Sequence, residues 1–301
     1  MILFYFLLLY DISYLKEKMS LLHWIPLEKL DWGNLSRNPN AIPLLEQTLA
    51  SPSSTSEFSV TAASATPPRL QNPEKINWFW LSMNPNAIHL LEQNPDKINW
   101  IYLSDNPNAI HLLEQNPEKV CWNKLSKNPN AIPLLEKFPE KINFKNLSKN
   151  PNAISLLEKN MDKVDWYNLS LNPNAIHLLE KNPDKIEWQW LSTNPNAVHL
   201  LEQNPDKIDW SYLSLNPNAI HLLEKDFEKN LDKINWISLS KNPNAIHILE
   251  QNLNKLNWVY LTTNPKAIHI LEQNLDKLNT RYGYQWLSSN PSIFEEWNGM
   301  K

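Results

Sequence analysis

Apolar and polar positions along this chain recur with a period of 22 residues. The unit reads Ile-x-Trp-x-x-Leu-Ser-x-Asn-Pro-Asn-Ala-Ile-His-Leu-Leu-Glu-x-Asn-Pro-Asp-Lys. Aligning on its aromatic position gives Trp32, Trp78, Trp100, Trp122, Phe144, Trp166, Trp188, Trp210, Trp236, Trp258 and Tyr284, with Asn-Pro six residues after each, so the chain holds eleven copies. Every step from Trp78 to Trp210 is 22 residues. A unit this small cannot bury its own apolar face, so a repeat of this kind predicts a stack in which each copy is stabilised by its neighbours.

Each unit carries two Asn-Pro sites, such as Asn84-Pro85 and Asn94-Pro95. Asparagine is a strong N-cap, and proline suits the first helical position, where no backbone N–H is required. The residue before proline is pushed out of the helical region, which ends the preceding helix at the same place. Each Asn-Pro thus predicts a helix start. In the first run Ala87, Ile88 and Leu91 share a face that Leu90 widens; in the second Ile98, Trp100 and Leu103 turn inward. The predicted fold is all-α, an α-solenoid of about eleven 22-residue two-helix repeats. At about 8–10 Å between helix axes it would form a rod or arc on the order of 100 Å long, its superhelical hand left open. Copies with Met161, Leu231, Leu253 or Leu275 in place of the second proline are expected to keep the Asn cap. The alternative is a leucine-rich-repeat-like horseshoe, because the period suits that class and Ile-x-Trp alternates as a strand does, although two prolines per unit fit a continuous sheet poorly.

Breaks in the spacing set the domain organisation. Residues 1–24 read as an N-terminal apolar extension or cap, 25–47 as the first repeat and 48–71 as a disordered insert rich in Ser, Thr, Ala and Pro. Residues 72–279 form the repeat solenoid, with four extra residues between Trp210 and Trp236 and again between Trp258 and Tyr284. Residues 280–301, with Tyr284, Trp286, Ile293, Phe294 and Trp297, read as a degenerate last repeat and C-terminal cap. The opening MILFYFLLLY is too short to span a bilayer and has no positive charge before it. It reads as a cap on the first repeat, as a targeting segment, or as an extension upstream of a start at Met19.

The alternation of Asn-Pro-Asn-Ala-Ile with Asp-Lys-Ile-x-Trp over residues 25–47 and 72–279 resembles a repeat family of uncharacterised proteins from large nucleocytoplasmic DNA viruses. The resemblance implies a viral repeat protein and brings no activity with it. The short paired helices are also similar, more distantly, to leucine-rich variant repeats. Heavy use of Asn, Lys and Ile is in keeping with an AT-rich genome.

Chemistry enters as a series of exclusions. The formal charge of −4 argues against a protein that wraps nucleic acid by neutralising phosphates. The lone Cys121 offers neither a disulfide framework nor a zinc spacing, which points to a reducing compartment, taken here as the cytoplasm. No P-loop, dinucleotide turn, nucleophile elbow or zincin motif is present, so neither an enzyme nor a bound cofactor is expected. His89, His111, His177, His199, His221, His247 and His269 share one slot, but stacked repeats hold equivalent residues about 8–10 Å apart, too far for one metal to bridge. They read as partly exposed helix positions. The glutamates three residues later, Glu92 among them, read as partners on the same helix or as help in capping the next one.

Function is expected where copies differ. The two residues after the tryptophan vary from Phe79-Trp80 to Val259-Tyr260, and Trp80, Tyr102, Trp190, Tyr212 and Tyr260 suggest an aromatic stripe of the kind that anchors a protein or peptide partner. Arg37, Lys127, Lys149 and Lys241, set against Asp105, give a second reading, sequence-tolerant binding of single-stranded RNA by repeat side chains. The charge balance favours the first, a non-enzymatic scaffold for protein–protein interaction.

Overall fold

The computed structural model describes residues 19–49, 73–225, 227–280 and 282–296. One copy shows how the unit folds. Asn99 Oδ1 accepts the Tyr102 N–H at 3.2 Å and opens the helix Trp100–Leu103. The chain then turns at Asn106, whose Oδ1 accepts the Asn108 N–H at 3.0 Å, and enters a second helix, Ile110–Gln115. A single 3-10 turn, Pro117–Lys119, leads to the next copy. Leu103, Ala109 and Leu113 are fully buried, and Trp100 and Ile110 pack against them half-buried. Repetition of this unit makes the protein an all-α repeat array. Among the described residues the only strands are β1 (Met19–Leu21) and β2 (Phe294–Glu296), so Ile-x-Trp forms no horseshoe sheet.

The second Asn-Pro does not start the tryptophan helix that follows it. Its asparagine donates Nδ2 back to the carbonyl four residues earlier, Asn94 to Leu90 and Asn116 to Leu112 at 2.9 Å, and so closes the helix before it. The helix that follows is capped by the residue before the tryptophan, as Asn143 and Asp165 do for the N–H groups of Asn146 and Asn168. The same back-bond persists beside Met161, Leu253 and Leu275, where Asn160, Asn252 and Asn274 reach Leu156, Ile248 and Ile270. The asparagine is retained as expected, with its role reversed.

Copies are joined by two buried polar ladders. Ser104 Oγ donates to the Trp100 carbonyl four residues back and accepts the Cys121 N–H of the next copy at 2.9 Å. Asn128 Nδ2 donates to the carbonyls of Ser104 and Asn106 in the copy before it, at 3.1 and 2.9 Å, while its Oδ1 takes the Asn130 N–H. The second asparagine of the motif adds a bond from Asn130 Nδ2 to the Pro107 carbonyl. A buried amide is stable only when fully paired, and no buried side-chain polar atom among the described residues lacks a partner.

The ladders do not end at the last copy. Asn38 Nδ2 donates to the carbonyls of Ser288 and Asn290 at 3.0 and 2.9 Å, the Asp31 N–H donates to Ser288 Oγ at 2.8 Å, and Asn40 Nδ2 reaches the Pro291 carbonyl. These are the bonds each copy makes to the one before it, so the eleventh copy stands immediately before the first. β1 pairs antiparallel with β2 through Met19–Glu296, Ser20–Glu295 and Leu21–Phe294, and the Leu22 N–H donates to the Ile293 carbonyl. The array is a closed ring. With helix axes about 8–10 Å apart, eleven copies give a circumference of about 100 Å and a mean diameter of about 30 Å. The expected rod or arc is therefore replaced by a ring, which has no superhelical hand to assign. The last copy, read from the sequence as a C-terminal cap, keeps the first helix, Gly283–Leu287, and the turn Pro291–Ile293, but β2 stands where the other copies have their second helix, and its end is covered by the first repeat.

Smaller boundaries also move. Thr48 and Leu49, assigned above to the insert, end the helix Ile42–Leu49, and Thr48 is buried. The remainder of the 48–71 insert that precedes residue 73, and residues 1–18, lie outside the described residues. The extra residues after Lys225 include a short helix, Phe227–Asn230. Gly283 is obligatory: a Cβ there would lie 2.3 Å from the Leu278 carbonyl oxygen.

Candidate interaction surface

The invariant positions spend their polar groups on the frame. Each histidine of the repeated slot gives Nε2–H to the glutamate of the preceding copy, from His89–Glu46 to His269–Glu250, at 2.5 to 3.1 Å. The glutamates thus pair between copies and not along their own helix. Where Pro133 replaces the histidine, Lys137 takes Glu114 at 3.0 Å. Among the described residues no group of three or more His, Cys, Asp or Glu converges as a metal site. Cys121 is half-buried at the position before Trp122 and caps nothing with its side chain.

Lysines of the 3-10 turns lie back over the aromatic position that opens the repeat they close. Lys119 sits 4.5 Å from the Trp100 ring, Lys163 4.8 Å from Phe144, and Lys29 crosses the closure to Tyr284 at 4.9 Å. Burial, aided by the Glu28 carboxylate, pushes the Tyr284 phenol above its ordinary range. On the surface, the Lys277 ammonium holds the Asp276 carboxyl below its usual value.

The two places after each tryptophan form a continuous band. Rings in neighbouring copies touch: Trp80 with Tyr102 at 6.1 Å, Tyr167 with Trp190 at 4.4 Å, Trp190 with Tyr212 at 4.9 Å and Tyr260 with Trp286 at 6.3 Å. Phe79 adds to the first group, 3.7 Å from Tyr102. Cations cover several faces, with Arg37 over Trp80, Lys124 over Tyr102 and Lys241 over Tyr260. All five aromatics singled out in the sequence lie half-buried on this band. They form three groups and not one stripe, because Lys124, Asn146 and Asn168 interrupt the row after Tyr102 and Ser238 interrupts it after Tyr212. Phe79, Tyr167 and Trp286 belong to it too. Trp286 escapes a sequence reading that treats the last copy as a cap, because only closure brings it beside the first.

The polar stretch carries Lys124, Lys127, Lys145 and Lys149 in two successive copies, with Asp105 bound by Lys127 at 2.7 Å. Asn146 Nδ2 hydrogen-bonds to Asn123 there. Elsewhere the band opens into a cleft of about 750 Å³ between the eleventh, first and second copies, lined by Gly33, Asn34, Arg37, Trp80, Gln285 and Trp286 among others. No helix among the described residues is long and apolar enough to cross a membrane. No protein-family description, curated protein or solved structure matches this chain.

Proposed function

We propose that this protein is a non-enzymatic ring scaffold, of viral origin, that binds a protein partner through the band of variable residues in the host cytoplasm. The observation that carries the reading is the division of labour within the repeat. Invariant side chains are consumed in bonds between copies, so the positions free to change are those of the band. These hold Trp, Tyr and Arg side chains, the types that dominate binding energy at protein interfaces. Acid–base or nucleophilic catalysis requires a convergent set of unlike groups in one pocket. Here the ionisable groups recur around the ring in equivalent pairs. The likeness of the repeat to viral repeat proteins supports the suggested setting.

The lysine stretch of the fourth and fifth copies favours a second reading, binding of single-stranded RNA. Against it, the rings of Tyr102, beside that stretch, and of Tyr260 are already covered by a ring or a cation, whereas base stacking needs an open face. Affinity capture with mass spectrometry tests the two readings. The wild type is compared with a variant carrying Trp80, Tyr102, Trp190, Tyr212 and Tyr260 all changed to Ala. Loss of one specific protein from the still-folded variant is the expected result. Recovery of RNA in its place, or an unchanged set of partners, overturns the assignment.

A further inference from the structure

We infer that the cleft across the ring closure seats one aromatic side chain of the protein partner, between Trp286 and Trp80. The inference rests on the proposed partner reading and gives it an anchor point. In the row two places after each tryptophan, the closure brings together Tyr260, Trp286, Asn34, Trp80 and Tyr102 in spatial order. Tyr260 touches Trp286 on one side and Trp80 touches Tyr102 on the other, at 6.3 and 6.1 Å between ring centres. The first copy, between them, carries Gly33-Asn34 and so lacks a ring. This part of the row is therefore an aromatic stack with one ring missing, and a planar ring entering beside Arg37, whose guanidinium lies 5.5 Å from the Trp80 ring centre, restores it.

Gly33 is what keeps the space beside Trp80 open, because the residue one place after the tryptophan packs on the ring of the next copy, as Phe79 does on Tyr102 and Tyr167 on Trp190; the fold does not demand a glycine there. It lies within the helix Trp32–Arg37, where glycine is the poorest residue after proline. A Cβ at this position would meet the Asp31 carboxylate oxygen at 3.1 Å, then Asn77 Nδ2 and Trp80 Cδ1 at 3.7 and 3.8 Å. The tightest of these is the Asp31 cap oxygen, and other copies keep the same Asp cap with a β-carbon at this position, as Asp165 does with Tyr167 and Asp209 with Ser211. Gly283, whose Cβ would strike backbone, shows what a structurally required glycine looks like in the same ring.

The lining also says which kind of ring fits. Arg37 and Lys75 are balanced by Asp31 and Glu74, so the cleft carries no net charge with which to hold a phosphate. The carboxamides of Asn34 and Gln285 offer donors and acceptors to a peptide backbone or a phenol. A cleft of about 750 Å³ holds a side chain with its flanking main chain.

The probe is N-acetyl-L-tyrosinamide, followed by saturation-transfer NMR on the full chain as wild type, Gly33→Ala and Gly33→Phe, with uridine 5′-monophosphate in parallel. Transfer to the tyrosinamide ring in the wild type and a loss of about tenfold in affinity in Gly33→Phe are expected, the scale of one interface anchor. Gly33→Ala is expected to melt above the wild type. Equal transfer in wild type and a cooperatively melting Gly33→Phe overturns the site, as does Gly33→Ala melting lower or binding of the nucleotide alone. If Gly33→Phe does not fold, Trp286→Ala takes its place. A protein captured equally by wild type and Gly33→Phe overturns the cleft and leaves the scaffold reading standing. Tyrosinamide bound by the wild type and lost in Gly33→Phe, with no protein captured, does the reverse.

Discussion

Asn150 has no exposed surface, and its side chain makes three bonds: Nδ2 to the carbonyls of Ser126 and Asn128, and Oδ1 to the Asn152 N–H. Asn150→Ala removes the Asn150 partner of the Ser126 carbonyl and of the Asn152 N–H, while the Asn128 carbonyl keeps the Ala131 N–H, and is expected to cost on the order of 3 kcal/mol in urea unfolding. Asn152→Ala removes one exposed bond to the Pro129 carbonyl and is expected to cost below about 1 kcal/mol. Similar costs for the two would contradict the ladder. Half of this was legible beforehand: Asn-Pro announces a turn that its own asparagine caps. That the amide also donates into the preceding copy was hidden, because a period along the chain does not say which groups face each other across copies. Tyr284 supplies a pH test. Its phenol is raised in the folded ring, so the neutral form is favoured there. Its contribution is complete below the unfolded phenol pKa, about 10, and is lost as pH rises above that value. Alkaline melting curves of wild type and Tyr284→Phe should diverge in that range, the variant keeping more of its stability; parallel curves would remove Tyr284 from the account.

Between helices, the serine rung recurs around the ring with one exception. Thr262 occupies the serine place in the tenth copy, but its hydroxyl donates to the Val259 carbonyl, and the Gly283 N–H bonds instead to Thr280. That junction keeps only the asparagine rung, from Asn290 to the carbonyls of Thr262 and Asn264. Amide hydrogen exchange should therefore report earliest opening between the tenth and eleventh copies. Uniform protection around the ring, or first opening at a serine junction, would oppose this. The exception coincides with the four-residue insertion, so its position was legible in the spacing. The short helices, their leucine core and the half-buried tryptophans were legible as well, from periodicity and the apolar pattern. The cap of the tryptophan helix was not, because Asn-Pro is the stronger local signal and the competing Asn or Asp stands four residues after the proline or its substitute, as Asn99 does after Pro95.

An open stack of eleven copies has ten junctions and two bare ends, whereas this ring has eleven junctions and none. Nothing in the repeat alone discloses closure, which depends on a small constant turn between copies accumulating to a full circle. The cues lay at the ends: the last copy keeps Ser288, whose hydroxyl would have no following copy to serve in an open stack, and the first keeps Asn38, whose amide would have no preceding one. Closure also unites Trp286 with Trp80 and so creates the cleft. The most direct measurement replaces Ser20 and Glu295, cross-strand partners in β1 and β2, with Cys in a Cys121→Ser background. Facing residues of antiparallel strands lie about 4.5–5.5 Å apart between Cα atoms, within disulfide reach. Oxidation of the folded, dilute protein should give a monomeric intrachain disulfide and raise its melting temperature. Free thiols in the folded monomer, or disulfides formed only between molecules, would show the ends to be apart and contradict the ring.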